Sequence, residues 1–361
     1  MCMRERAELL LGRVVSLRDR HLSRPMVIVV VLAVVGLMPH LRSISVAGVA
    51  PLGWLSINML VITLVWATAA QAWNIMSGYT GQFSFGHAAF FGIGAYATIM
   101  AIREGGLSPW VGMLIGAGVA AVVGLVVGGL TFRYELQGHY FALATLAVAE
   151  LLRYTFNSVP FLGEGSGFFK PFPREYGSEF GLAAFQFQSQ EPYFYLIFTF
   201  LVVITAVAWV IRSSKLGLYF FAIRERERAA AAVGIPTVRY KLLAFGVSAA
   251  LTAIPGAFWA MYFDTIRPDT VFAILINVEI LLPAVVGGLG TVVGPIVGSF
   301  VVTPISEYAR QSVDLHGLNN IIYGVVLILI VLYSPRGVVS WPARASDLVA
   351  RWRSPTGGTD E

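Results

Sequence analysis

YFYLIFTFLVVITAVAWVIRSSKLGLYFFAIRERERAAAAVGIPTVRYK, residues 193–241, sets an uninterrupted apolar run against a dense island of charge. The run, 193–211, has the length and composition of one membrane crossing, since a hydrocarbon core about 30 Å thick takes about 20 apolar residues as a helix. The island, 212–241, carries seven of the chain's 25 Lys and Arg residues. Between Phe220 and Pro236 it reads as a short helix, with four consecutive alanines, Gly234 as a stop and Pro236 just beyond. Phe220, Ile223, Ala230 and Val233 fall on one face at helical spacing, with Arg224, Glu225, Glu227 and Arg228 around the rest. An orientation signal needs no terminated amphipathic helix. A partner protein is the simplest reason to build one between two spans.

Outward from this stretch the composition is that of a membrane protein. The 361 residues are 57% hydrophobic and 12% charged, half the charged share of about 25% found in ordinary globular domains. Apolar runs at 26–38, 53–73, 83–102, 109–131, 139–157, 193–211, 241–262, 272–289, 292–310 and 317–334 predict an all-α integral membrane protein, a polytopic bundle of about ten transmembrane helices. No small-x-small cleavage site lies between the first run and the next charged residue, so the run is expected to remain as a span. The basic residues then sort by side. Six arginines in the N-terminal arm, Arg133, the seven cations of the island and Arg336, Arg344, Arg351 and Arg353 of the tail make 18, against seven on the other face. Both termini are therefore expected in the cytoplasm. The expected organisation is a basic arm over 1–25, a transmembrane domain over 26–340 and a cytoplasmic tail over 341–361. Within the domain, an extracytoplasmic loop occupies 158–192 and a cytoplasmic loop 212–241. The charge placement reports topology and contact with membrane lipid, not a nucleic-acid partner.

Two glycine-rich stretches carry candidate moving or path-lining residues. GYTGQFSFGHAAFFGIGAY, 78–96, opens with Gly78, Gly81, Gln82, Ser84 and His87 where the third span should begin. Polar or irregular backbone at membrane depth is tolerated where it is buried in protein or lines a watery path. GGLGTVVGP, 287–295, places Gly287, Gly288 and Gly290 before Pro295 and predicts a tight turn or broken helix. Glycines here also serve close helix packing, and His87 alone reads first as a hydrogen-bonded bundle histidine. Glu150, Glu279 and Glu307 are the carboxylates clearly inside spans, and Glu279 joins the candidates for the path. So sparse a set weakens the case for an ion-coupled carrier.

The chain shows no chemistry of its own. A phosphate-cradling loop needs Gly-Lys-Ser or Gly-Lys-Thr, and Lys170, Lys215 and Lys241 are the only lysines, none preceded by glycine. The five histidines and the lone Cys2 lack metal-ligand spacing. No enzyme, resident cofactor or metal site is expected.

Several ordered blocks carry a resemblance. GYTGQFSFGHAAFFGIGAYAT (78–98), YFALATLAVAELLR (140–153), SKLGLYFFAIRERERAAAAVGIPTVRYKLLAFGVSA (214–249), PGAFWAMY, EILLPAVVGGLGTVVGPIVG and IIYGVVLILIVLYSPRG together cover most of residues 55–340. They resemble permease subunits of the branched-chain amino acid ABC transporters, of the longer M type. The resemblance implies a multi-pass protein of a bacterial inner membrane. It also implies a second related permease, two cytoplasmic ATP-binding subunits that hold ATP and Mg, and an extracytoplasmic solute-binding protein. Ile223, Arg224, Glu225, Glu227, Arg228 and Gly234 then match the loop that meets an ATPase. Related permeases for urea, short amides, sugars or nucleosides, and an ion-coupled secondary transporter, are the competing readings.

Overall fold

The computed structural model describes residues 25–41, 55–171, 179–312, 324 and 337–340. The chain divides into two compact units, residues 1–54 and 55–361. Within the first, Pro25–Leu41 forms helix α1, which contains the expected run 26–38. In the second, the helices are α2 (Ile57–Thr80), α3 (His87–Gly105), α4 (Pro109–Arg133), α5 (His139–Ser158), α6 (Glu191–Ser213), α7 (Lys215–Ala232), α8 (Thr237–Tyr262), α9 (Pro268–Val271), α10 (Ile274–Gly287) and α11 (Gly294–Ser312). The expected run 317–334 lies, apart from Gly324, outside the described residues, as do the tail and all but the last residue of the arm. Among the described residues, α2, α4, α6, α8 and the stretch Pro268–Gly287 are long and apolar enough to cross a membrane.

α2 is the central column. Ser56 caps its start, accepting from the Met59 backbone N–H at 3.0 Å, and Gly81 ends it at φ +75°. Every residue from Met59 to Thr80 is buried, so no face is left for solvent or lipid. The hydroxyls along it remain satisfied because Thr63, Thr68 and Thr80 donate to carbonyls one turn back, at 2.6–2.8 Å. The helix runs past residue 73, where its apolar run stops, because Asn74 and Tyr79 find partners among the surrounding elements. α8, α6, α10 and α11 pack around it.

α4 shows which solvent surrounds the bundle. Gly112, Gly116, Ala120, Gly124 and Gly128, spaced every four residues, form its buried stripe against α3 and α8. Its opposite face turns outward with Leu114 at 69% and Val122 at 60% exposure. Small residues inside and branched apolar residues outside is the pattern of a helix packed in lipid. α3 and α8 cross at backbone distance: a Cβ on Gly94 would lie 2.0 Å from the Ala253 carbonyl oxygen, and one on Gly256 2.0 Å from that of Phe91.

α5 is held differently, with only Phe141, Thr145 and Ala149 buried. Arg153 near its end bonds Glu150 at 2.8 Å and Asp269 of α9 at 2.6 Å. The loop after it forms a short antiparallel ribbon, an exception to the expected all-helical chain, in which Phe168 and Phe169 (β1) pair with Ile266 and Thr265 (β2). Lys170 closes this ribbon on Asp264 at 3.0 Å. Because β1 follows α5 and β2 follows α8, the ribbon caps the end of the bundle opposite to α7, which joins the end of α6 to the start of α8.

Candidate functional site

The charge island folds into α7, which starts earlier than expected and is not one continuous helix. Arg226 has φ −154° and ψ 94°, an extended conformation that breaks α7 into two arms. The break shifts the helical register, which corrects one expectation. Phe220, Ile223 and Ala230 are buried, whereas Val233 is 78% exposed. The expected stop holds. Gly234 adopts φ +89°, its N–H bonds the Ala231 carbonyl and that of Ile235 bonds Ala230, the paired bonds of a Schellman ending. Leu218, Glu225, Arg228 and Val233 are exposed.

Each arm is tied to a different part of the bundle. On the first, Arg224 donates from Nη1 to the Gly78 carbonyl of α2 at 2.6 Å, and its stem lies over Gly81, where a Cβ would stand 3.1 Å from Arg224 Cγ. Arg212, at the end of α6, donates from Nη1 to the Gly290 carbonyl. On the second arm, Glu227 meets Lys241 of α8 at 2.5 Å.

Gly290 belongs to the turn between α10 and α11, which appears where the glycine cluster predicts one. Gly290 takes φ +76°, and a Cβ on Gly287 would fall 1.7 Å from the Gly294 carbonyl oxygen, so the turn closes at backbone contact. Asn74 of α2 clasps it from both sides, accepting from the Gly290 N–H at 2.8 Å and donating to the Thr291 carbonyl at 2.9 Å. Within the turn, the Thr291 hydroxyl donates to the Gly288 carbonyl and accepts from the Gly294 N–H. Three stretches that are far apart in sequence, the end of α2 with Gly78 and Gly81, the Gly288–Thr291 turn and the island, therefore form one knot.

The remaining path candidates sit above this knot. The loop between α2 and α3 folds back into the bundle, so Trp73 Nε1 donates to the Ser84 carbonyl at 2.8 Å. His87 is fully buried. Ser248 donates its hydroxyl to the Ala72 carbonyl at 2.7 Å, so it accepts from His87 Nε2–H at 2.8 Å, and Ser84 then donates to Nδ1 at 3.0 Å. That pattern fixes a neutral ring with both nitrogens satisfied. Gln82 is buried, and its Oε1 meets no donor among the described residues. Glu279 is buried on α10. Asn277, two residues earlier on the same helix, accepts from the Ala88 N–H at 2.7 Å.

Asn74, Arg212 and Lys241 were not singled out by sequence, yet each makes a bond that holds the knot or α7. Asn74 carried a signal: an amide directly after an apolar run, one turn before Gly78, is costly unless bonded when the helix continues inside the bundle. Among the described residues, no three His, Cys, Asp or Glu side chains gather as a metal site would require.

The family model described as the permease component of branched-chain amino acid transport systems matches residues 55–331. The high-affinity branched-chain amino acid transport system permease protein LivM of Escherichia coli (strain K12) is 26% identical over 302 residues, 79% of this chain and 70% of LivM. LivH of the same named system in Salmonella typhimurium (strain LT2) is 23% identical over 300 residues, covering 79% and 94%. The autoinducer 2 import system permease protein LsrC of Photorhabdus laumondii is 25% identical over 142 residues, 38% and 42%. No solved structure matches.

Proposed function

Because the chain belongs to the family of permease components of branched-chain amino acid transport systems, we propose that it is one permease half of an ATP-binding cassette importer. In this reading a second related permease supplies the other half and an extracytoplasmic protein delivers the solute. Two cytoplasmic subunits bind ATP and Mg and drive the cycle. About ten helices cross the bacterial inner membrane, with both termini and α7 in the cytoplasm. The substrates are branched-chain or related amino acids, a reading supported by what LivM and LivH are named for.

The observation that carries the proposal is the division of α7. Phe220, Ile223 and Ala230 are its buried side, Arg224 and Glu227 bond it to α2 and α8, and Arg212 beside it ties the end of α6 to the α10–α11 turn. Its outer side presents Leu218, Glu225, Arg228 and Val233. A helix anchored on one side and free on the other is built to be pushed. An ATPase that contacts that free side differently in its two nucleotide states supplies the free energy that shifts the permease between inward- and outward-facing states. Gly81, Gln82, Ser84, His87, Glu279 and the glycines of the turn belong to the parts that move or border the path.

The test is uptake of radiolabelled leucine by proteoliposomes holding this chain with its co-purified permease, ATPases and binding protein. Uptake that requires ATP supports the proposal. Uptake by the chain alone under an ion gradient would overturn it. The match to LsrC favours a second reading, the same machine with a different ligand, which the solute bound to the co-purified binding protein decides.

A further inference from the structure

We propose that Arg212 and Arg224 form a transmission clamp: two guanidinium groups that join α6 and the first arm of α7 to the end of α2 and the α10–α11 turn. The inference rests on the importer reading above and says which of the island's charges carry motion into the bundle.

Neither arginine uses this bond on a carboxylate. Arg224 reaches the Gly78 carbonyl and Arg212 the Gly290 carbonyl, so the charge-assisted bonds end on backbone, which moves only with its whole element. The two acceptors are themselves in contact. A Cβ on Gly290 would lie 2.8 Å from the Gly78 carbonyl oxygen and 2.2 Å from Arg224 Nη1, so the missing side chain is the space the clamp occupies. Asn74 binds the same turn on its other side, and Thr291 cross-braces it. The end of α2, the turn and the ends of α10 and α11 beside it are thereby one body, and the two arginines are its handles. The extended residue Arg226 separates this arm from the one held by Glu227 and Lys241, so a displacement of α7 reaches two parts of the bundle through separate bonds.

Arg212 and Arg224 are thus positioning residues: Arg224 is exposed, as Glu225 and Arg228 are, but its guanidinium is bonded to the Gly78 carbonyl. The assembled complex in proteoliposomes tests the difference by three readouts: ATPase subunits retained, ATP hydrolysed, and radiolabelled leucine taken up per ATP hydrolysed. In the R212A/R224A pair the ATPases stay bound and hydrolyse ATP, while uptake per ATP falls about tenfold or more, the scale of a lost hydrogen bond to a charged group. R228E, on the exposed side, instead lowers the amount of ATPase retained. A loss of ATPase binding in R212A/R224A, or uptake per ATP equal to wild type, overturns the clamp. Where the double variant does not reach the membrane, R224K replaces it, keeping the charge but not the fork. Reduced uptake per ATP then supports the clamp and wild-type coupling overturns it. Normalising to ATP hydrolysed removes any effect of protein amount, which a merely structural role would change. A wild-type complex with no ATP-driven uptake defeats the importer reading itself, before any variant is compared.

Discussion

Lys241 Nζ lies 2.5 Å from Glu227 Oε1, with the lysine side chain 2% and the glutamate side chain 19% exposed, and the same ammonium stands 4.7 Å from the centre of the Phe132 ring. The pair fastens the second arm of α7 to α8. Removing one member of a sealed ion pair costs about 3–5 kcal/mol because the other charge is left buried. Glu227 keeps some access to water, so K241M is expected to cost less, about 2 kcal/mol. Thermal denaturation of the detergent-solubilised protein measures this, and K241M/E227L should recover most of the loss because no unpaired charge remains.

Gly234 has open space around the position of a Cβ, so the cost of replacing it comes from its φ of +89° and not from crowding. G234A is expected to strain the end of α7 by about 1–2 kcal/mol, and G234V by more, since a β-branched residue tolerates this region worst. G234N should be milder, since Asn tolerates the left-handed region. In a pull-down of the ATPase subunits, alanine and valine lower recovery while asparagine stays near wild type. A loss that follows side-chain volume, with asparagine worse than alanine, would show instead that Gly234 is a steric contact point for the partner.

The crossing of α3 and α8 leaves no such freedom. A methyl group at Gly94 or Gly256 meets a main-chain carbonyl oxygen at 2.0 Å, and neither helix backbone moves without its neighbours. G94A and G256A are each expected to lower stability by about 1–3 kcal/mol, the range for overpacking. Gly118, also in a helix but with nothing within 4 Å of a Cβ, is the control. G118A should be neutral or gain up to about 1 kcal/mol from helix propensity. Melting temperatures in one detergent compare all three.

Helix positions were legible because an apolar run of membrane length has few other uses. The run 109–131 became Pro109–Arg133 and the run 139–157 became His139–Ser158. The end of α7 was legible for a local reason as well, since Gly234 followed by Pro236 leaves little alternative. The break at Arg226 was not, because RERER offers no glycine or proline to mark it. The knot was hidden for a different reason: its bonds join residues 146 positions apart, Arg224 with Gly78, and 217 apart, Asn74 with Thr291. A count of seven cations treats them as one signal. The fold assigns Arg212 and Arg224 to carbonyls and Lys241 to a carboxylate, and leaves Arg228 exposed.

His87 separates a tie within the bundle from a group that borders the path. Both ring nitrogens are bonded, to Ser84 and Ser248, and Ser248 passes the chain on to the Ala72 carbonyl of α2, so the ring joins the start of α3 to α8 and the central column. H87A leaves two hydroxyl groups short of a partner in a buried site, a loss of about 1–3 kcal/mol. The expected outcome is a lower melting temperature with the KM for leucine uptake unchanged in whatever protein remains folded. S248A tests the same chain from its other end, because it strands the Nε2 hydrogen and should lower the melting temperature again without changing KM. A raised KM in H87A at wild-type stability would place the ring on the substrate's route, and the bonds to Ser84 and Ser248 would then be those of one state of the cycle.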